Sequence, residues 1–140
     1  MQNKFGEAVY KAGKGLWRAF PMILGTILLV SLIATLIPKS FYAKIFRGDI
    51  IDLLIGSIIG SISAGNPITS YILGGEFLKQ GISLLAVTSF IVAWVTVGII
   101  QLPAESAILG KKFALLRNLT AFLLSMIVAL ITILILNLII

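Results

Sequence analysis

The chain has no cysteine, no histidine and few charges. The first absence excludes disulfides and thiolate chemistry; the second excludes imidazole metal sites and removes the commonest general base. Only 11% of the 140 residues are charged and 59% are hydrophobic, whereas a soluble domain carries about 25% charged residues. A chain this short leaves much of its surface exposed, so it could not hide that apolar surface from water. Lipid is the simpler solvent, and the fold class that follows is an all-α integral membrane protein. The net charge of +6 does not point to nucleic acid. The basic residues are scattered in short polar segments, with no basic stripe interleaved with aromatics. At the flanks of apolar runs they contact headgroups and set topology. No span holds a pair of convergent acids, so no enzyme, catalytic residue, metal or cofactor is expected.

What the sequence does contain is apolar runs. Residues 19–38, 80–104 and 118–140 carry no charge over 20, 25 and 23 residues. Residues 50–78 are also apolar, but hold Asp52 and Glu76 and are interrupted at Gly65-Asn66-Pro67. About 20 apolar residues cross the hydrocarbon core as a helix. Three runs meet that length, and 50–78 does so only if both sides of the interruption count. About four membrane segments are expected. Helix is preferred to barrel strand because the runs are continuous rather than alternating. Ahead of them, residues 1–18 space Phe5, Val9, Leu16 and Trp17 roughly for one helical face. They form either an N-terminal interfacial helix or a basic tail weakened by three glycines. A cleaved leader over the first forty residues is a rival reading. Against it stand the length of the apolar run and the lack of an A-x-A-like site after it. Residues 39–49 mix Lys39, Lys44 and Arg47 with Phe41, Tyr42 and Phe46, which suits a water–lipid interface. One domain of residues 1–140 is expected, membrane-embedded from 19 onward.

Basic residues do not fix orientation if all four segments cross. Lys4, Lys11, Lys14, Arg18 and Lys79 then face Lys39, Lys44, Arg47, Lys111, Lys112 and Arg117, five against six. If residues 50–79 instead enter and return on one side, the count becomes seven against four and favours an inside N-terminus. A balanced chain inserts both ways, and two opposed copies can pair. That would build from a short chain the inverted repeat that many transporters carry within a long one. The alternative is that loop length or assembly decides orientation.

Gly56, Gly60 and Ala64 recur every four residues, a spacing that lets helices approach closely in lipid. At Gly65-Asn66-Pro67 one helix should stop and another start. Asparagine is a favoured N-cap and proline a favoured first helical residue. The interruption falls about fifteen residues into its run, near mid-bilayer for a rise of about 1.5 Å per residue. A helix start there would present the N–H groups of Ile68, Thr69 and Ser70 and the positive end of a dipole. Broken helices at the midplane are where many secondary transporters bind substrate. The plainer alternative is a proline kink without a ligand. A second interruption, Gln101-Leu102-Pro103-Ala104-Glu105, reads either as a short helix opened at Pro103 and stopped at Gly110 or as the interfacial end of the third span. Ionisable groups inside spans are functional candidates. Glu76 either carries a coupling proton or pairs with Lys79, and Glu105 is the other coupling candidate. Asp52 reads as a first-turn dipole partner and Trp94 as packing.

The stretch GSISAGNPITSYILGGEFLKQGISLLAVTSFIVAWVTVGIIQLPAE resembles the predicted permease family that includes the arsenical permeases. The resemblance covers residues 16–120, and longer members are similar in having two related multi-helix halves. It implies a single transmembrane permease domain in the cytoplasmic membrane, multi-pass, carrying a small molecule or ion. Its substrate-binding candidates are Gly65, Asn66, Pro67, Thr69, Ser70, Tyr71, Gln101 and Pro103. Half the usual length implies a homodimer, and the lack of cysteine removes any thiolate handling of trivalent arsenic. The other function class open at this point is a membrane scaffold or anchor subunit.

Overall fold

The computed structural model describes residues 2–36, 38–46, 50–63 and 65–140. Among them seven helices follow one another: α1 (Gln2–Leu36), α2 (Lys39–Ile45), α3 (Ile50–Ile62), α4 (Pro67–Lys79), α5 (Leu84–Thr96), α6 (Leu102–Leu109) and α7 (Lys111–Ile139). No strand occurs among the described residues. The chain divides into two units, residues 1–36 and 37–140.

The first unit is α1. Its 35 residues run unbroken through Pro21, so residues 2–18 and the apolar residues 19–36 form one helix. Isolated glycines weaken a helix by about 1 kcal/mol each without ending it. The Glu7–Lys11 pair, one turn apart at 2.6 Å, favours the helical form of the segment.

The second unit is built around α5. Helix α3 runs parallel to it: Asp52 meets Ser83 near the two helix starts, Leu53 meets Ser89, and Gly60 meets Phe90 and Ala93 further on. The approach is close because Gly56 and Gly60 have no side chain. A Cβ on Gly56 would lie 2.3 Å from the Ala86 carbonyl oxygen, and one on Gly60 2.3 Å from that of Phe90. Ala64, third in that spacing, lies outside the described residues.

Helix α4 runs the other way along α5. Gly65, just ahead of α4, lies on Trp94. Gly74 lies on Val87 and Ile91, and Phe77 meets Phe90 edge-on at 5.3 Å. Helices α3 and α4 thus run in opposite directions along α5, and each packs on it. At its far end α4 closes with a Schellman motif. Gly81 takes a left-handed φ of +87°, and the N–H groups of Ile82 and Gly81 donate to the carbonyls of Phe77 and Leu78 at 3.1 and 3.0 Å. Ile82 is buried, with Phe77 packed against it, the contact that usually accompanies this cap.

Helix α5 is shorter than the uncharged run of 25 residues from which a third span was expected. Ser83 caps its start, its hydroxyl accepting from the Ala86 N–H at 3.3 Å. It stops at Thr96, thirteen residues in all. Helices α3, α4 and α5 have the same length, about 20 Å each, against about 30 Å of hydrocarbon core. Helix α7 has 29 residues and is, among the described residues, the helix long and apolar enough to cross a membrane. It packs on α5, α3 and α6 and buries Ala114, Asn118, Ser125 and Ala129, small side chains on one helical stripe.

Candidate functional site

Two of the non-helical connections of this unit, the one holding Ser63 and Gly65 and the one at 97–101, converge. Ser63 and Gly65 from the first, Gly98 and Gln101 from the second, Trp94 from α5 and Arg117 from α7 line one mostly polar depression of about 70 Å³. That is room for about two water molecules at ~30 Å³ each. Among the described residues, Arg117 is the one formally charged side chain on its lining.

Each wall has a local cause. The first connection starts where α3 ends, with the Ser63 N–H and hydroxyl both turned back onto the Ile59 carbonyl at 3.1 and 2.7 Å. It finishes at Asn66, whose extended backbone and side-chain oxygen cap α4, and Pro67 follows at the helix start. The Trp94 indole N–H donates to the Gly65 carbonyl at 3.4 Å, and its ring meets Phe90 edge-on at 5.4 Å. Trp94 therefore packs, as expected, but also forms a wall of the depression.

The second connection is held by Asn118. Its Oδ1 accepts from the Gly98 N–H at 2.8 Å, and its Nδ2 donates to the Ala114 carbonyl at 3.0 Å and to Glu105 at a long 3.5 Å. Arg117 pairs with Glu105 from α6. The Glu105 N–H donates to the Gln101 carbonyl at 2.9 Å in the first turn of α6. One network thus joins the end of α5, the start of α6 and the first two turns of α7. It sets the depression level with Arg117 and Asn118, nearer the Lys111 end of α7 than its middle.

The sequence candidates scatter with respect to this place. Gly65 and Gln101 line it. Asn66 stands beside it with its side chain already used: Oδ1 accepts from the Ile68 N–H at 2.9 Å, and its carbonyl accepts from the Thr69 N–H at 2.9 Å. Two of the three N–H groups expected to await a ligand are therefore satisfied within the turn. Ser70 is buried, its hydroxyl donating to the Pro67 carbonyl at 2.7 Å. Thr69 is half-buried, while Pro67 and Tyr71 are exposed. Pro103 borders a different, apolar hollow between α6 and α7. Glu76, near the far end of α4, pairs with Lys79 at 3.4 Å and accepts from the Gln80 amide at 3.1 Å. Glu105 adjoins the depression through Arg117.

Arg117, Asn118, Gly98 and Trp94 were not among the sequence candidates. Two of them had a signal: Arg117 and Asn118 are polar residues at the head of a long apolar run, where charge is costly without a partner. Asp52 was also underread. It sits in the first turn of α3, as expected, but it is completely buried and accepts from the Ser83 hydroxyl at 3.0 Å. Thirty-one positions separate the two residues, and only the parallel packing of α3 on α5 joins them.

The chain belongs to the predicted permease family ArsP_1, which matches residues 4–137. No curated protein and no solved structure matches it. Family membership gives the general class: a membrane protein, with solute transport as its kind of function.

Proposed function

We propose that the chain is a small-solute permease of the cytoplasmic membrane, multi-pass, working as a homodimer, with its solute path at the depression between residues 63–66 and 97–101. The observation that carries this reading is the convergence of both helix interruptions on one recess. A scaffold needs no such recess, because non-helical backbone at membrane depth is tolerated where it lines a cavity or is buried in protein. In this reading the path lies nearer the Lys111 end of α7 than the midplane. From Asn118 to Ile139, α7 rises about 32 Å, enough to cover the hydrocarbon core. A recess level with Asn118 then lies toward the Lys111 rim of that core.

The path of α3 and α4 bears on assembly. Antiparallel pairing of the two copies rested on a five-to-six charge split. The opposite directions of α3 and α4 put the start of α3 and the end of α4 at the same end of α5, the geometry for which the split is seven to four. One orientation, with the N-terminus inside, is then favoured. An opposed pair would need assembly, not charge, to set the second orientation.

Because the chain has no native cysteine, single cysteines at positions 63, 65 and 101 report water access without background. In the reconstituted protein they should react with a small membrane-impermeant thiol reagent, and a cysteine at position 93, in the buried α3–α5 contact, should not. Protection at all three lining positions would overturn the permease path and leave the alternative, a non-transporting scaffold or anchor subunit.

A further inference from the structure

The charge around the depression is arranged unevenly. Arg117 lines it, whereas Glu105, which neutralises Arg117, does not. Side-chain accessibility follows the same order, 40% for Arg117 and 19% for Glu105. Of the pair, Arg117 is the residue that an occupant of the recess would meet. One guanidinium nitrogen, Nη1, is engaged by Glu105 Oε1. The guanidinium is a planar fork of N–H donors that matches the paired oxygens of a carboxylate or a phosphate. The rest of the described lining is uncharged, polar at Ser63, Thr96, Gln101 and Trp94 and otherwise aliphatic or glycine.

We infer that Arg117 is the specificity-determining residue of the solute path, that the solute is a small oxyanion with carboxylate- or phosphate-type oxygens, and that Glu105 is the resting counter-ion this anion competes against. The inference rests on the permease reading and deepens it by naming the class of solute. The volume of about 70 Å³ sets the size of the group that enters, a few heavy atoms. The Glu105 pair has a physical purpose in this scheme. An unpaired guanidinium at the rim of a hydrocarbon core is costly. With Glu105 in place the empty site is neutral, and an entering anion exchanges one partner for another instead of meeting a bare charge. Affinity is lowered by that competition, and release is made easier by the same amount.

The test needs no knowledge of the natural solute. The chain has two tryptophans, Trp17 and Trp94. In the full-length Trp17→Phe protein, in neutral detergent, Trp94 is the sole indole and reports from the wall of the recess. Iodide quenches it as an anion and acrylamide as a neutral molecule, both at fixed ionic strength. Formate or inorganic phosphate should protect Trp94 from iodide and leave acrylamide quenching unchanged. Glu105→Gln should raise iodide quenching about twofold or more, because the guanidinium loses its competitor. Arg117→Gln should lower iodide quenching and abolish protection, with acrylamide quenching as the check that the fold survives. If Arg117→Gln does not fold, Arg117→Lys substitutes for it. The charge is kept, so iodide quenching persists, but the fork is lost, so protection by formate weakens.

Iodide quenching indifferent to both Glu105→Gln and the Arg117 variant would overturn the inference. Protection by vesicles containing phosphatidylglycerol, but not by free formate or phosphate, would assign the oxyanion to a lipid headgroup and overturn the solute assignment. Reactive cysteines at 63 and 101 together with absent anion effects would remove only the role of Arg117. Protected cysteines would remove the path itself.

Discussion

Gly60 and Gly75 show how one residue type takes opposite roles fifteen positions apart. Gly60 is where α3 lies on the backbone of α5, and an added methyl would stand 2.3 Å from the Phe90 carbonyl oxygen and 3.0 Å from the Ala93 side chain. Gly75 faces open space. Gly60→Ala should force the helices apart and cost about 1–3 kcal/mol. Gly75→Ala should stabilise by about 0.5–1 kcal/mol through the lost flexibility of the unfolded chain. Thermal unfolding of the two variants in one detergent checks this: midpoints should move in opposite directions, and equal shifts would show that α3 and α5 are not in backbone contact. The sequence marked Gly56 and Gly60 as packing residues by their spacing. It did not say what they pack against, because spacing within a helix holds no information about the partner. Asp52 shows the same limit. Its place near a helix start was readable, but its burial against Ser83 depends on a residue in another helix.

The elements follow local rules more closely than the contacts do. Asn66 and Pro67 start α4, Pro103 falls in the first turn of α6, and Gly110, with φ +90°, separates α6 from α7. All three were legible because capping and proline chemistry act within a few residues. The end of α4 at Gln80-Gly81-Ile82 was equally local and was missed, since the uncharged run beginning at Gln80 drew the third segment across it. Asn66→Ala removes the acceptor for the Ile68 N–H and should cost about 1 kcal/mol. Hydrogen exchange should then quicken at Ile68 and Thr69 and stay unchanged at Ile82, whose amide is held by the other cap. Faster exchange along the whole of α4 would instead mean that Asn66 supports tertiary packing.

At the scale of the whole molecule, the path of the chain decides how its charges count. Four crossings give five basic residues against six, and a returning hairpin gives seven against four. Opposite directions of α3 and α4 along α5 are what the second path requires. If α1, α5 with its 97–101 extension, and α7 each cross, the C-terminus lies outside. A cysteine added after Ile140 should therefore be labelled from outside intact cells by an impermeant reagent, and not from the cytoplasmic face of inverted vesicles. Labelling in both would restore dual orientation and with it the antiparallel homodimer. The same path sets the recess: the end of α3, the start of α4 and the end of α5 reach one level because α3, α4 and α5 are of equal length.

The sequence by itself determined that the chain is helical and apolar, where two of its helices start, and that it resembles a family of permeases. These follow from hydrogen-bond satisfaction in lipid and from capping, both of which act through solvent and near neighbours. Only the tertiary structure decided that the two interruptions meet. The same is true of the opposite directions of α3 and α4 along α5, and of the place of Arg117 on the lining of the recess. Those depend on the register of α3, α4 and α7 on α5. That register is set by glycine contacts, by the Asp52–Ser83 bond and by the reach of Asn118 to Gly98, each between residues on different elements and far apart in sequence.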